Sequence, residues 1–151
     1  MTVMEAIEAR RSVRSYSSRP VTQQELEAVL EAGRLAPSAR NRQAWHFTAV
    51  RDAALRARLM AACKDQKQVG EAPVTLVVWA EDDPVMACGQ SASTVDCSIA
   101  LSFMLLRAAE LGLGTCWLGA FDAGMVREAL GLPAGAVPVA VTPLGHPAEQ
   151  P

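Results

Sequence analysis

The run EAPVTLVVWA, Glu71 to Ala80, decides the fold. From Val74 onward it is almost continuously apolar and rich in β-branched side chains. A strand with one wet face alternates apolar and polar positions. A run that does not alternate is the mark of a strand covered on both faces, in the middle of a sheet. The chain on either side must then supply helices to cover it.

It does so on both sides. Thr22-Gln-Gln-Glu25 is a capping-box pattern, and Leu26, Val29, Leu30 and Gly33 follow at helical spacing. A helix is predicted over Gln23–Ala36, stopped by Pro37. A shorter one is predicted over Val3–Arg10. Trp45–Val50 reads as a strand, and Asp52 as the cap of a helix reaching Cys63. Lys64–Glu71 is polar and reads as a loop with some helix, and Glu81–Gly89 as a loop. Val95–Leu111 reads as a long buried helix ending at Gly112 and Gly114. Thr115–Gly119 is predicted as a strand, Asp122 as the cap of a helix to Leu130, and Val137–Thr142 as the last strand. There is no internal repeat and no linker, so a single α+β domain is expected over residues 1–151.

Composition limits the functions open to such a domain. Half of the 151 residues are hydrophobic, a fifth are charged, and the net charge is −2. That is a globular composition without the broad basic face that nucleic-acid binding needs. Glu5, Glu8 and three arginines interrupt the N-terminal segment, so no secretory signal is visible there. Val95–Leu111 carries Asp96, Arg107 and Glu110 and reads as too short and too interrupted to span a bilayer. The expectation is a cytoplasmic protein without membrane or nucleic-acid partners. Cys63, Cys88, Cys97 and Cys116 show no CxxC spacing, so no metal site is expected, and the thiols read as reduced and mostly buried.

Three segments carry polar chemistry. Arg10-Arg-Ser-Val-Arg14 gathers guanidinium groups around a hydroxyl, a set able to hold one phosphate. By itself it reads more readily as a solvated basic helix end. Ala36-Pro-Ser-Ala-Arg-Asn-Arg-Gln-Ala-Trp-His46 offers amides with both donor and acceptor, suited to the edge of a heterocycle, and equally an ordinary turn beside a buried Trp. Leu111-Gly-Leu-Gly-Thr-Cys-Trp-Leu-Gly-Ala-Phe-Asp122 has glycines that permit close backbone approach to something flat. A helix cap followed by a strand accounts for Gly112 and Gly114, and less well for Gly119. Cys97 and Cys116, with His46 and His146 as bases, read as inert packing rather than nucleophiles. Asp96 reads equally as functional or as a partly exposed polar position.

Taken together, RRSVRSY, APSARNRQAWHF, EAPVTLVVWA, GLGTCWLGAFD and VPVAVTPLGHPAE, in that order, resemble the nitroreductase-like family of FMN-dependent oxidoreductases. The resemblance implies an α+β sandwich with a mainly antiparallel sheet between helices, built around a long buried helix. It implies a homodimer with FMN at the subunit interface. Arg10, Arg11, Ser12 and Arg14 match the family's flavin phosphate and ribityl-pyrimidine contacts. Pro37, Ser38, Ala39 and Asn41, with Gln43 nearby, match the segment that reaches the flavin from the other subunit. Gln66, Lys67 and Gln68 lie where the family places pyrimidine contacts. Leu118, Gly119 and Ala120 match the backbone stretch beside the reactive edge of the isoalloxazine.

The implied reaction is hydride transfer from NAD(P)H through flavin N5 to a nitroaromatic, quinone or similar flat small molecule, in a ping-pong scheme. The flavin performs the chemistry, and no side chain is expected to be catalytic. The alternative is a flavin-binding or carrier protein with little turnover. Three departures accompany the resemblance. Ala44 stands where a Pro is frequent. The segment before the central helix is short, which implies a reduced lid. The sequence stops at Pro151, where many relatives continue into a basic arm; weaker FMN binding and a weaker dimer are expected.

Overall fold

The computed structural model describes residues 1–149; Gln150 and Pro151, where the sequence ends, lie outside the described residues. In chain order the elements are α1 (Val3–Ala9), α2 (Gln23–Arg34), β1 (Trp45–Val50), α3 (Ala53–Ala62), α4 (Lys67–Glu71), β2 (Val74–Ala80), α5 (Ala92–Glu110), β3 (Gly114–Thr115), α6 (Ala123–Leu130) and β4 (Val137–Gly145), with one 3-10 turn at Ala39–Asn41. The fold is α+β. The sheet order is β1-β2-β4-β3, and each neighbouring pair is antiparallel.

As the run at Glu71–Ala80 demands, β2 is covered twice. Val74, Leu76, Val78 and Ala80 face one cluster, with Leu26, Val29, Leu101 and Met104 of α2 and α5. Val77 faces the other, with Leu59, Val69 and Val126 of α3, α4 and α6. Thr75, the one polar residue within the strand, is buried and donates its hydroxyl to the Val69 carbonyl at 2.7 Å. A buried hydroxyl left unpaired would cost about 1–3 kcal/mol.

Local capping explains most boundaries. Thr2 with Glu5 and Thr22 with Glu25 form full capping boxes at α1 and α2. Asp52 and Asp122 cap α3 and α6. Four expectations need correction. First, α5 begins at Ala92, because the Ser91 hydroxyl accepts the Thr94 N–H and starts the helix early. Second, with 19 residues α5 is long and apolar enough to cross a membrane by length and composition; half of it is buried inside this fold. Third, Thr115–Gly119 is not one strand. Only Gly114 and Thr115 pair with β4; the Cys116 N–H goes to the Thr142 hydroxyl at 3.1 Å, and the chain rejoins β4 at Leu118 alone. Fourth, β4 runs past Pro143 to Gly145, where β3 meets it.

Candidate functional site

The arginine segment is built as a sheet margin. The chain leaves α1 at Arg10 in an extended conformation. Ser12 then bridges Thr115 in parallel, and the Val13 N–H donates to the Thr115 carbonyl at 2.8 Å. Val13 is buried directly against Gly114, where an added Cβ would lie 2.8 Å from the Val13 Cβ. Gly114 is therefore required by this close approach. Tyr16 closes the segment by donating its hydroxyl to the Val13 carbonyl at 2.7 Å, and burial raises its phenol pKa far above the usual range.

Arg10 and Arg11 line a cleft of about 400 Å³, with Val13, Thr115 and Glu149 on its walls and the C-terminal end of α5 at Ala109 and Gly112. Arg11 donates to the Glu8 and Arg10 carbonyls, and Arg14 to the Ser12 carbonyl at 3.4 Å. Among the described residues, no carboxylate forms an ion pair with any of these three guanidinium groups. Ser12 and Arg14 stand beside the cleft rather than on its wall.

Two further segments lie along the same edge of the sheet. After α3, Lys64 and Asp65 both take left-handed φ, at 59° and 57°, and turn the chain into α4. The Gln66 side chain donates to the Cys63 carbonyl at 3.1 Å and reaches the Ala120 carbonyl at 3.5 Å. Gln68 is buried and donates to Gln66, while Lys67 is exposed. Leu118 is buried and exchanges two backbone hydrogen bonds with Val141, at 2.9 and 3.1 Å. Gly119 and Ala120 are exposed, and their N–H groups find no acceptor among the described residues. Trp117 swings out to solvent and lays its ring over Gly119, where a Cβ would meet the ring edge at 3.0 Å. Thus Arg10–Arg14 borders β3, and Leu118–Ala120, with Gln66 against the Ala120 carbonyl, follow further along the same edge of the sheet.

The Pro37–Gln43 segment lies elsewhere. The buried Asp96 carboxylate of α5 accepts the Ala39 N–H at 2.9 Å. The Ser38 hydroxyl accepts the Gln43 N–H at 3.0 Å, and the Gln43 amide donates to the Asn41 side chain at 2.7 Å. Arg40, Asn41 and Gln43 all have left-handed φ, 52–53°. Such conformations cost about 1–2 kcal/mol each for a residue with a Cβ, so they persist only because these contacts hold them. The Nη2 of Arg42 donates to both carboxylate oxygens of Asp82, at 2.9 and 2.8 Å. Asp96 and the arginine cleft at Ala109 sit near opposite ends of α5. At 1.5 Å per residue, that puts roughly 20 Å between them.

Asp96, whose role the sequence left open, is therefore the anchor of this loop. Its only signal was an acid among buried helix positions. Cys63, Cys97 and Cys116 are buried and Cys88 is exposed; none is bonded. Burial pushes the Cys63 thiol up to about 11 and Cys97 up to about 12, which leaves neither as a thiolate near neutrality. His46 stacks on Trp79 and contacts Glu81, and His146 faces Glu25.

The model of the Nitroreductase family matches residues 7–81 and 65–146. A Thermus thermophilus protein named NADH dehydrogenase is 35% identical over 93% of this chain and 84% of its own. A nitroreductase family protein of Clostridium novyi NT superposes with a TM-score of 0.94 at 28% identity, covering 99% of this chain and 87% of that one. An FMN-dependent nitroreductase of Clostridium difficile R20291 gives 0.87 at 26% identity, covering 98% and 89%.

Proposed function

The chain belongs to the nitroreductase family, and on that premise we propose that it is a cytoplasmic, FMN-dependent oxidoreductase. It takes hydride from NAD(P)H and passes it to a nitroaromatic, quinone or similar flat acceptor. The observation that carries this reading is the cleft at Arg10 and Arg11, whose guanidinium groups have no carboxylate partner among the described residues; further along the same sheet edge, past Leu118, lies the open backbone of Gly119 and Ala120. These residues fit FMN. A terminal phosphate suits the arginines through charge-assisted hydrogen bonds. The two exposed N–H groups suit the edge of a flat heterocycle, and the FMN-dependent relative shares the fold.

FMN bound there would supply the reversible uptake and release of a hydride. The chain supplies the frame. Arg10 and Arg11 hold the phosphate, with Ser12 and Arg14 beside them. Gln66 and Lys67, with the buried Gln68 behind, face the pyrimidine side. Leu118 fixes the bowed backbone so that Gly119 and Ala120 lie along the ring.

Pro37, Ser38, Ala39, Asn41 and Gln43 are too far from the arginine cleft to join it within one chain. We assign them to the site of a second copy, in a homodimer. Val3, Met4 and Ile7 of α1, with Phe103 of α5, are large apolar side chains left exposed in the single chain, which supports such an interface. Of Leu101–Leu105 in α5, only Ser102 and Phe103 reach solvent; Leu101, Met104 and Leu105 are buried within the chain. The whole of residues 1–151 is read as one functional domain.

The test is spectroscopic and then kinetic. The purified protein with FMN should show bound-flavin absorbance in the 1:1 ratio of FMN to chain, and should oxidise NAD(P)H when a nitroaromatic or quinone is present. Parallel double-reciprocal plots are expected. Bound flavin without turnover would leave the carrier reading, and absence of flavin binding would end both.

A further inference from the structure

We propose that the Glu149 carboxylate is a built-in counter-charge of the arginine cleft, lowering its affinity for a phosphate dianion. The inference rests on the reading of that cleft as the FMN phosphate site.

Glu149 lines the same cleft as Arg10 and Arg11. Its Oε1 accepts the backbone N–H of Arg14 at 2.9 Å. The carboxylate is thus held on the main chain of the arginine segment, and its negative charge faces the cleft without being paired to a guanidinium. The backbone behind it is fixed. Ser17 donates to the His146 carbonyl at 2.9 Å, Ala148 donates to the Ser15 carbonyl at 3.0 Å, and Tyr16 bridges Pro147. Chain ends 135 residues apart are zipped together here. The C-terminal end of α5, the negative pole of its dipole, borders the same cleft.

An incoming dianion therefore meets two guanidinium groups and, on the wall of the same cleft, a carboxylate that repels it. Riboflavin, which has no phosphate, does not feel this repulsion. Glu149 accordingly narrows the preference for FMN over riboflavin that the arginines create, and keeps the cofactor exchangeable.

Glu149→Gln separates this role from a purely structural one. The amide oxygen can still accept the Arg14 N–H, while the charge is gone. Dissociation constants for FMN, riboflavin and inorganic phosphate would be measured for both proteins at low and high salt. The variant is expected to bind FMN and phosphate about three- to tenfold more tightly at low salt, with the gain shrinking at high salt and riboflavin unchanged. Unchanged or weaker binding of FMN and phosphate, or an equal gain for riboflavin, would overturn the counter-charge. If neither protein bound flavin but the variant still bound phosphate more tightly, the counter-charge would stand and the FMN reading would fall.

Discussion

Two polar segments of similar composition are built in opposite ways. Arg10–Arg14 is laced to β3 by its backbone, takes no left-handed residue, and places the charges of Arg10 and Arg11 on a cleft. Pro37–Gln43 bends through three left-handed residues, turns its amides on one another, and hangs from one buried carboxylate. The first is a site made of charge on an ordinary frame. The second is a site made of shape, held against local strain. The first should respond to salt and to loss of individual charges. The second should respond as a unit to loss of its anchor.

The largest effect should come from that anchor. Asp96→Ala removes a hydrogen bond to a charged acceptor and opens a small cavity under the loop. A loss of about 2–3 kcal/mol of stability is expected, read by urea denaturation. Faster hydrogen exchange at the Ala39 amide should accompany it. A variant that kept slow exchange there would show that the loop does not depend on Asp96, and the contrast between the two segments would break. Next comes Arg10→Ala, which should weaken FMN about tenfold or more while leaving riboflavin nearly unchanged. Equal losses for both ligands would remove the phosphate from this cleft.

The same contrast explains what the sequence revealed. The central strand, both capping boxes and the arginine cluster were legible because each is a signal within a few residues. The left-handed run was not: Arg40 and Gln43 carry no mark of that conformation, and Asn41 alone hints at it. It is held by contacts that include Asp96, which lies 57 residues away from the Ala39 amide whose N–H it accepts. The strand expected over Thr115–Gly119 failed for a similar reason. Its apolar pattern is sound, but a side chain of β4, Thr142, takes the Cys116 N–H and bends the chain outward. Trp117 is exposed in consequence, a position that no periodicity in the segment foretells.

That bend sharpens the comparison at Gly119, with a smaller effect. Gly119 is exposed, and only the ring edge of the solvent-facing Trp117 lies within reach of an added Cβ. Gly119→Val should therefore change stability by less than about 1 kcal/mol, within the range of surface substitutions. Stopped-flow hydride transfer should fall several-fold, because the new side chain stands where the flat ring must approach. Equal loss of stability and rate would place Gly119 in the frame rather than at the site.

The smallest effect, and the one that tests the comparison most directly, is salt. A cleft whose affinity comes from exposed guanidinium groups is screened once the Debye length falls to the size of the cleft. That length is about 10 Å at 0.1 M and about 3 Å at 1 M. FMN affinity should fall several-fold across that range, and riboflavin affinity should hardly move. The strained loop should depend on salt far less, because its Gln43–Asn41 contact is between neutral amides and Asp96 is buried beneath it; only the exposed Arg42–Asp82 pair is open to screening. Hydrogen exchange at Ala39 should then be the same at both ionic strengths. If FMN affinity stayed constant while exchange at Ala39 changed, charge would govern the loop and shape would govern the cleft, the reverse of the assignment made from their geometry.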